Sequence, residues 1–102
     1  MVITWGEEKN KKLKKERGIG FEHVVIAINE GLLLNVLEHP NKKKYPNQVV
    51  LLVKIEQYVY AVPAITENEN YFLKTMYPSR KYTKLYLGKE ITNEKNGRKK
   101  ID

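Results

Sequence analysis

One short stretch of this sequence gathers positive charge and aromatic rings in a pattern that suits a nucleic-acid substrate. Residues 71–88 read YFLKTMYPSRKYTKLYLG, with four lysines or arginines, four tyrosines and no acidic residue. Cations bind phosphate oxygens and aromatic rings stack on unpaired bases, so the combination is typical of a surface that binds single-stranded RNA. The predicted RNA-binding residues are Lys81, Lys84, Tyr77, Tyr82 and, on a separate loop, Lys43.

The same residue types are sufficient to cleave RNA without a metal ion, because RNA supplies its own nucleophile in the 2′-hydroxyl. The protein has to align that oxygen with the phosphate and stabilise the charge of the transition state. Arg80 is the first candidate for this stabilisation, since a planar guanidinium binds two phosphate oxygens at once. Lys74 is the second candidate, and His39 is the candidate general base because an imidazole titrates near neutral pH. No metal ligand and no cofactor is predicted.

Each of these residues also has an ordinary structural explanation. A single surface lysine such as Lys74 or Lys81 usually serves solubility, and the three lysines of the loop NKKKYPN are usually solvated. His39 could cap a turn, and tyrosines near strands are more often half-buried packing groups. A non-catalytic RNA-binding or ribosome-associated module therefore explains the charge and the aromatic rings equally well. A third alternative is a structural protein whose basic tail docks on an acidic partner.

Composition narrows the class of protein. The chain has 102 residues, 41% of them hydrophobic, which is enough for one small domain with one core. The absence of cysteine excludes disulfides and thiolate metal sites. The longest apolar runs, VVIAI and VVLLV, are far too short for a membrane span, and the first residues lack a secretion signal, so a cytoplasmic protein is expected. The net charge is +7, and residues 71–102 hold nine Lys/Arg against three Asp/Glu.

The elements that must position these residues follow from spacing and from turn-forming residues. Helix one is predicted to begin near Gly6, and helix two to follow the apolar spacing of Phe21 and Val24 as far as Gly31. Four antiparallel strands in a meander are predicted over residues 32–38, 49–56, 58–65 and 71–77. Pro63 marks a bulge or an edge-facing position in the third of these strands, because it cannot donate a ladder hydrogen bond.

The last part of the chain is predicted to form a helix and a tail. Ser79 is suited to cap the final helix, whose apolar face would hold Tyr82, Leu85 and Tyr86. Residues 1–88 would then be one α+β domain with two N-terminal helices, a meander of about four strands and one C-terminal helix. Residues 89–102 would be a basic, mobile tail, open to ordering by a partner.

The order of these pieces resembles a known family, the BrnT toxins, which are small ribonucleases of the RelE/ParE-like superfamily. The similarity covers residues 3 to about 87 and rests on the segments ITWGEEKN, LKKERGIGFEHV, EHP and SRKYTKLY. The residues that match the family pattern are Trp5, Lys9, Asn10, Gly18, Phe21, Glu22, Arg80, Thr83 and Tyr86. The chain departs from the pattern at Gly6 for the usual Asp, Arg17 for a common His, Gly20 for a common Ser and Tyr82 for a small residue.

The resemblance implies a RelE-like fold and a role as the toxin of a type II toxin–antitoxin system. Such a toxin inhibits translation by cleaving messenger RNA, in some cases on the ribosome. It further implies a ribbon-helix-helix antitoxin that blocks the activity. DNA would be bound only indirectly, through the antitoxin.

Overall fold

The fold of the chain is a mixed sheet with helices on both faces. A computed structural model describes the backbone of residues 1–93 and the side chains of residues 1–88. The elements in chain order are β1 (Val2–Trp5), α1 (Glu7–Arg17), α2 (Phe21–Asn29), β2 (Leu33–Glu38), β3 (Gln48–Ile55), β4 (Tyr58–Glu67), β5 (Asn70–Leu73), β6 (Tyr77–Pro78) and α3 (Arg80–Asn93). The predicted α+β class is confirmed. No helix in the described part of the chain is long and apolar enough to cross a membrane.

The two N-terminal helices form where local signals place them. Glu7 and Glu8 lie in the first turn of α1, where they complement the positive end of the helix. Gly18 ends the helix in the left-handed region, at φ 72°, and donates its N–H to the carbonyl of Lys14. Helix α2 follows immediately and buries Phe21, Val24 and Ala27 against the sheet, with Ile28 packed beside them.

The sheet is mixed rather than a pure antiparallel meander. Its strand order is β1-β5-β4-β3-β2, and β6 pairs with β4 beyond the end of β5. Strands β2 to β5 pair in antiparallel fashion as predicted, but β1 lies parallel to β5, with Ile3 opposite Tyr71. A parallel neighbour requires a crossover, which α1, α2 and the intervening strands supply. The strand at the start of the chain therefore extends the sheet beyond the predicted meander.

Each face of the sheet packs against different helices. On the helix-pair face, Leu51, Val53 and Val62 form the main core with α1 and α2. On the opposite face, called here the α3 face, a smaller cluster of Leu52, Val59 and Ala61 packs against α3. Strand β3 is thus buried on both faces, as its apolar residues predict.

The last predicted strand is interrupted by a bulge. Leu73 of β5 is opposite Ala64, and Tyr77 of β6 is opposite Ala61, so three residues of one segment face two residues of β4. Because a bulge of one residue reverses the side-chain alternation, Phe72 lies on the α3 face and Met76 is buried in the core on the other face. Strict alternation along the predicted strand 71–77 would place Phe72 and Met76 on the same face, and the bulge is the reason that they lie on opposite faces.

The final helix also differs from its predicted form. It continues past Gly88 to Asn93, with a non-helical residue at Leu87. Tyr82 packs on the small cluster as expected, but Leu85 is 69% exposed and Tyr86 is 38% exposed. The side chains of residues 89–102 and the backbone of residues 94–102 lie outside the described residues, as does the expectation of a mobile tail.

Candidate functional site

A groove opens on the α3 face of the sheet, beside the first turn of α3. We call it the α3 groove, and its volume is about 410 Å³. It is lined by Leu37, Glu38, His39, Pro40, Gln48, Val49, Val50, Pro63, Ala64, Ile65, Lys74 and Tyr82. Three of the residues predicted from sequence, His39, Lys74 and Tyr82, come together here from three distant parts of the chain.

Lys74 begins the bulge between β5 and β6, and strand alternation places it on the α3 face two residues after Phe72. Its N–H donates to the carbonyl of Pro63 at 2.8 Å, so Pro63 turns its backbone nitrogen toward the same side. That nitrogen carries no hydrogen, and the neighbouring segment leaves the ladder at this point. A bulge or an edge-facing position was predicted for Pro63; the structure has a bulge in the segment opposite Pro63, while Pro63 itself pairs in regular register with Val50. The prediction that residues 71–77 form one continuous strand is wrong. The exposed side chain of Lys74 lines the groove as a cation beside an apolar floor.

Helix α3 is fixed to the edge of β4 by its own first turn. Ser79 caps the helix as predicted, with its Oγ 3.1 Å from the N–H of Tyr82. The N–H of Ser79 donates to the carbonyl of Val59, and the N–H of Val59 donates to Thr83 Oγ1 at 2.8 Å. Thr83 is 1% exposed. It satisfies a backbone group that has no strand partner at this point, and Tyr82, next to it, forms a wall of the groove.

His39 is held by a structured loop that follows β2. Its Nδ1 accepts the N–H of Asn41 at 3.0 Å, and its ring stacks on Tyr45 with the centroids 4.4 Å apart. Since Nδ1 accepts a hydrogen bond, the neutral ring carries its hydrogen on Nε2. In this arrangement Nε2 is the nitrogen of His39 that can donate a hydrogen bond. The predicted role of His39 as general base stays a prediction, because it requires the ring to release the Asn41 contact.

The remaining predicted residues are not part of the groove lining. Lys81 lies beside it, with Nζ 5.2 Å from the centroid of the Tyr82 ring. Arg80 is exposed at the first position of α3, and Tyr77 is 43% exposed on β6. Lys84 and Lys43 are exposed on α3 and on the loop after β2. The structure thus separates the predicted set into a groove group and an outer group of mostly positive charge.

Two residues at or near the groove, Gln48 and Thr83, were given no role there from the sequence. Gln48 begins β3 and lines the groove, and its signal was the alternation that places it on the same face as Val50 and Leu52. Thr83 matches the family pattern, but spacing alone gave no indication that it would be buried. Its role depends on the position of Val59, which is distant in sequence.

Among the side chains that the structure describes, the carboxyl of Glu22 and the phenol of Tyr60 have shifted pKa values, and neither lines the groove. The hydrogen bond from Lys14 lowers the pKa of Glu22 below its ordinary value of 4.5, and backbone and Asn10 hydrogen bonds add to the effect. Burial raises the pKa of Tyr60, with the nearby carboxylate of Glu56 as a second cause. Tyr60 packs against the main core on the helix-pair face, so it stands apart from the groove.

The Asn10 side chain explains why α1 and α2 dock in one arrangement. Asn10 is fully buried, and its Oδ1 accepts the N–H of Phe21 at 2.7 Å, which caps the start of α2. A Cβ at Gly20 would lie 2.5 Å from that same oxygen, so the position needs glycine for the close approach. Asn10 and Phe21 match the family pattern and Gly20 departs from it, and the contacts of all three are structural.

Comparison of the chain with protein-family models, with curated proteins and with solved structures found no match.

Proposed function

We propose that this chain is the toxin of a type II toxin–antitoxin system, a metal-independent endoribonuclease that inhibits translation. The observation that carries the proposal is the α3 groove, which has an apolar floor and is lined by Lys74, His39 and Tyr82. The BrnT-like segments EHP and SRKYTKLY support the same conclusion, because His39 lies in the first and Tyr82 in the second. We propose in addition that the α+β fold is of the RelE-like type.

The reaction is transesterification within the RNA. The 2′-oxygen attacks the adjacent phosphorus, the bond to the 5′-oxygen of the next nucleotide breaks, and the products carry a 2′,3′-cyclic phosphate and a 5′-hydroxyl. One proton leaves the 2′-hydroxyl and one joins the departing 5′-oxygen. Lys74 stabilises the extra negative charge on the phosphate, with Arg80 and Lys81 binding phosphates at the entrance.

His39 binds a non-bridging phosphate oxygen through its Nε2–H, which is the role that its hydrogen bond to Asn41 favours. Tyr82 and Tyr77 provide surfaces on which bases stack. Lys84 and Lys43 extend the positive surface along α3 and along the loop after β2. The proposed partners are messenger RNA, free or on the ribosome, and a ribbon-helix-helix antitoxin that neutralises the activity. DNA is bound through that antitoxin, and the proposed compartment is the cytoplasm.

The decisive experiment combines growth and RNA chemistry. Expression of the chain should arrest growth, and co-expression of a ribbon-helix-helix protein encoded next to it should restore growth. The purified chain should cleave RNA in the presence of a chelator, and an RNA with one 2′-deoxynucleotide at the cleavage site should stay intact there. Normal growth together with intact RNA would overturn the proposal.

A matched set of variants tests the assignment of Lys74. Removing one charge-stabilising group typically costs about 10²–10³ in the rate constant, so Lys74→Ala should lose cleavage to that degree. Arg80→Ala should weaken RNA binding and growth inhibition with the fold intact, because Arg80 binds a phosphate at the entrance. The control is Lys12→Ala, which removes an equal charge from the exposed side of α1 and should cleave RNA like the wild type. Circular dichroism spectra of the three variants should match that of the wild type, which checks that each variant is folded.

A second candidate function is a non-catalytic RNA-binding or ribosome-associated module. The observation that favours it is the Asn41 hydrogen bond, which occupies the nitrogen of His39 that a general base would use. A module of this kind protects bound RNA, whereas an enzyme shortens it. Full binding with no 2′,3′-cyclic phosphate product would select this candidate.

A further inference from the structure

From the geometry of the α3 groove we infer that it seats one unstacked base of single-stranded RNA and that Gln48 determines which base is accepted. The inference rests on RNA being the substrate proposed above, and it assigns a base-binding subsite and a specificity residue. The occupant is a flat, partly apolar ring with polar atoms at its edge. The floor, the edge and the rim of the groove each match one part of that ligand.

The floor is a row of apolar side chains in register across three strands. Leu37 of β2 is opposite Val50 of β3, and Val50 is opposite Pro63 of β4. Neighbouring strands are about 4.8 Å apart, so the row forms a platform about 10 Å across. All three residues are half-buried and line the groove. A base lying on this platform would cover apolar surface that is open to water in the free protein.

The edge of the site is a second row of side chains two residues further along the same strands. Gln48 lies in this row, opposite Ile65 on β4 and next to His39. The backbone N–H of His39 donates to the backbone carbonyl of Gln48. Strands rise about 3.4 Å per residue, so the two rows lie about 7 Å apart. A ring centred on the first row would therefore point its edge at the amide of Gln48 and at the imidazole of His39.

The amide of Gln48 is available for this role. Among the described residues its side chain has no hydrogen-bond partner, whereas the side chain of His39, its neighbour in the groove lining, accepts the N–H of Asn41. An amide carries two donors and one acceptor oxygen, so it can form a paired contact with a base edge. A paired contact of this type distinguishes bases by their pattern of donors and acceptors.

Charge at the rim favours a nucleotide over an acidic or neutral peptide. Lys74 lines the groove, and Lys81 lies against the ring of Tyr82, another lining residue. Lys44 Nζ lies 5.5 Å from the ring centroid of Tyr45, and the Tyr45 ring contacts His39 of the lining, so a further cation lies near the β2 end of the groove. Glu38 is the one carboxylate in the lining, and an ion pair with Lys42 at 3.1 Å offsets its charge. Phosphates on either side of a seated base would meet these cations.

The test separates base binding from cleavage by using RNA that cannot be cut. Short 2′-O-methyl oligonucleotides lack the nucleophile, so their affinity reports binding alone. Four homopolymers give the base preference, and the preferred oligomer is then made with a single abasic position at each site in turn. Stacking on a protein surface contributes about 1–3 kcal/mol per base, so one abasic position should weaken binding by about 5- to 150-fold.

Two variants of Gln48 and one matched control complete the design. Gln48→Ala should reduce the preference among the four homopolymers by about tenfold or more while the salt dependence of binding stays as in the wild type. Gln48→Glu has the same shape without the two donors, and it should change which base is preferred. The control, Gln57→Ala, alters an exposed glutamine in the turn between β3 and β4, and it should leave the preference unchanged.

The outcomes distinguish this inference from the proposed nuclease activity. Base-dependent binding without cleavage of ordinary RNA keeps the base site and overturns the nuclease. Cleavage with no abasic effect, or with an unaltered preference in both Gln48 variants, overturns the base site and keeps the nuclease. Absence of binding to every oligonucleotide overturns the base site, and a groove that accepts only a protein ligand would give that result.

Discussion

Substituting Thr83 by valine should destabilise the protein by removing one oxygen atom from its interior. The Thr83 hydroxyl accepts the N–H of Val59 at 2.8 Å, and both residues are buried, with 1% and 0% of their surface exposed. Valine has nearly the shape of threonine, and both residues are β-branched with similar helix propensity, so packing and helix formation change little. What changes is that the Val59 N–H is left buried with no acceptor.

The expected loss follows from the cost of such a group. The carbonyl of Val59 keeps the N–H of Ser79 as a donor, so only one polar group becomes unsatisfied. An orphaned buried donor costs about 1–3 kcal/mol of the free energy of unfolding. In a domain of this size, each kcal/mol lowers the melting temperature by about 4–8 °C. A decrease on the order of 5–20 °C is therefore expected for Thr83→Val.

The assay is urea denaturation of the wild type, Thr83→Val and Thr83→Ser, followed by far-UV circular dichroism. Thr83→Ser keeps the hydroxyl and loses one methyl group, which costs about 0.8 kcal/mol. The order of stability should be wild type, then the serine variant, then the valine variant, with equal dependence on denaturant. A valine variant as stable as the wild type, or a serine variant damaged as much as the valine one, would refute the role of this hydroxyl.

Three further predictions concern charge and backbone strain. Because Lys14 lowers the pKa of Glu22, the ionised carboxylate stabilises the fold above its unfolded pKa of about 4.5, and this contribution should disappear as pH falls through the lower folded value. Urea titrations at a series of pH values measure the free energy of unfolding of the wild type and of Glu22→Gln, which lacks the carboxylate. Parallel pH profiles for the two proteins would contradict the prediction. Glu56 has φ 59°, so Glu56→Gly should raise the free energy of unfolding by about 1 kcal/mol, whereas Gln57→Gly should bring no gain. For single-stranded RNA, Lys74→Ala should reduce the slope of log affinity against log salt by about 0.7, and an unchanged slope would show that Lys74 contacts no phosphate.

Much of the local structure could be predicted because its causes lie close together in sequence. The apolar spacing of Phe21 and Val24 fixes the buried face of α2, and Gly18 ends α1 where a left-handed residue is required. The Ser79 cap was likewise visible, since a hydroxyl three residues before the N–H that it accepts is a local pattern. The α+β class and the antiparallel order of β2 to β5 follow from short connections between neighbouring strands.

The candidate site could be predicted in part. Lys74, His39 and Tyr82 were chosen for their chemistry, and they meet in one groove. Their meeting could not be derived from spacing, because they come from the bulge, from the end of β2 and from α3. Arg80 was ranked above Lys74 on chemistry, yet it is Lys74 that lines the groove. The position of Gln48 in the groove could not be predicted, because it depends on its neighbours across the sheet, Ile65 and His39.

The sequence by itself determined the type of each main element, the concentration of cations in residues 71–88 and the exclusion of thiol chemistry. Tertiary structure decided how those elements meet. The parallel pairing of β1 with β5 joins residues far apart in the chain, and the bulge opposite Pro63 turns Phe72 and Met76 to opposite faces. The physical reason is that pairing, register and burial depend on groups distant in sequence, which propensity and periodicity along one segment do not include.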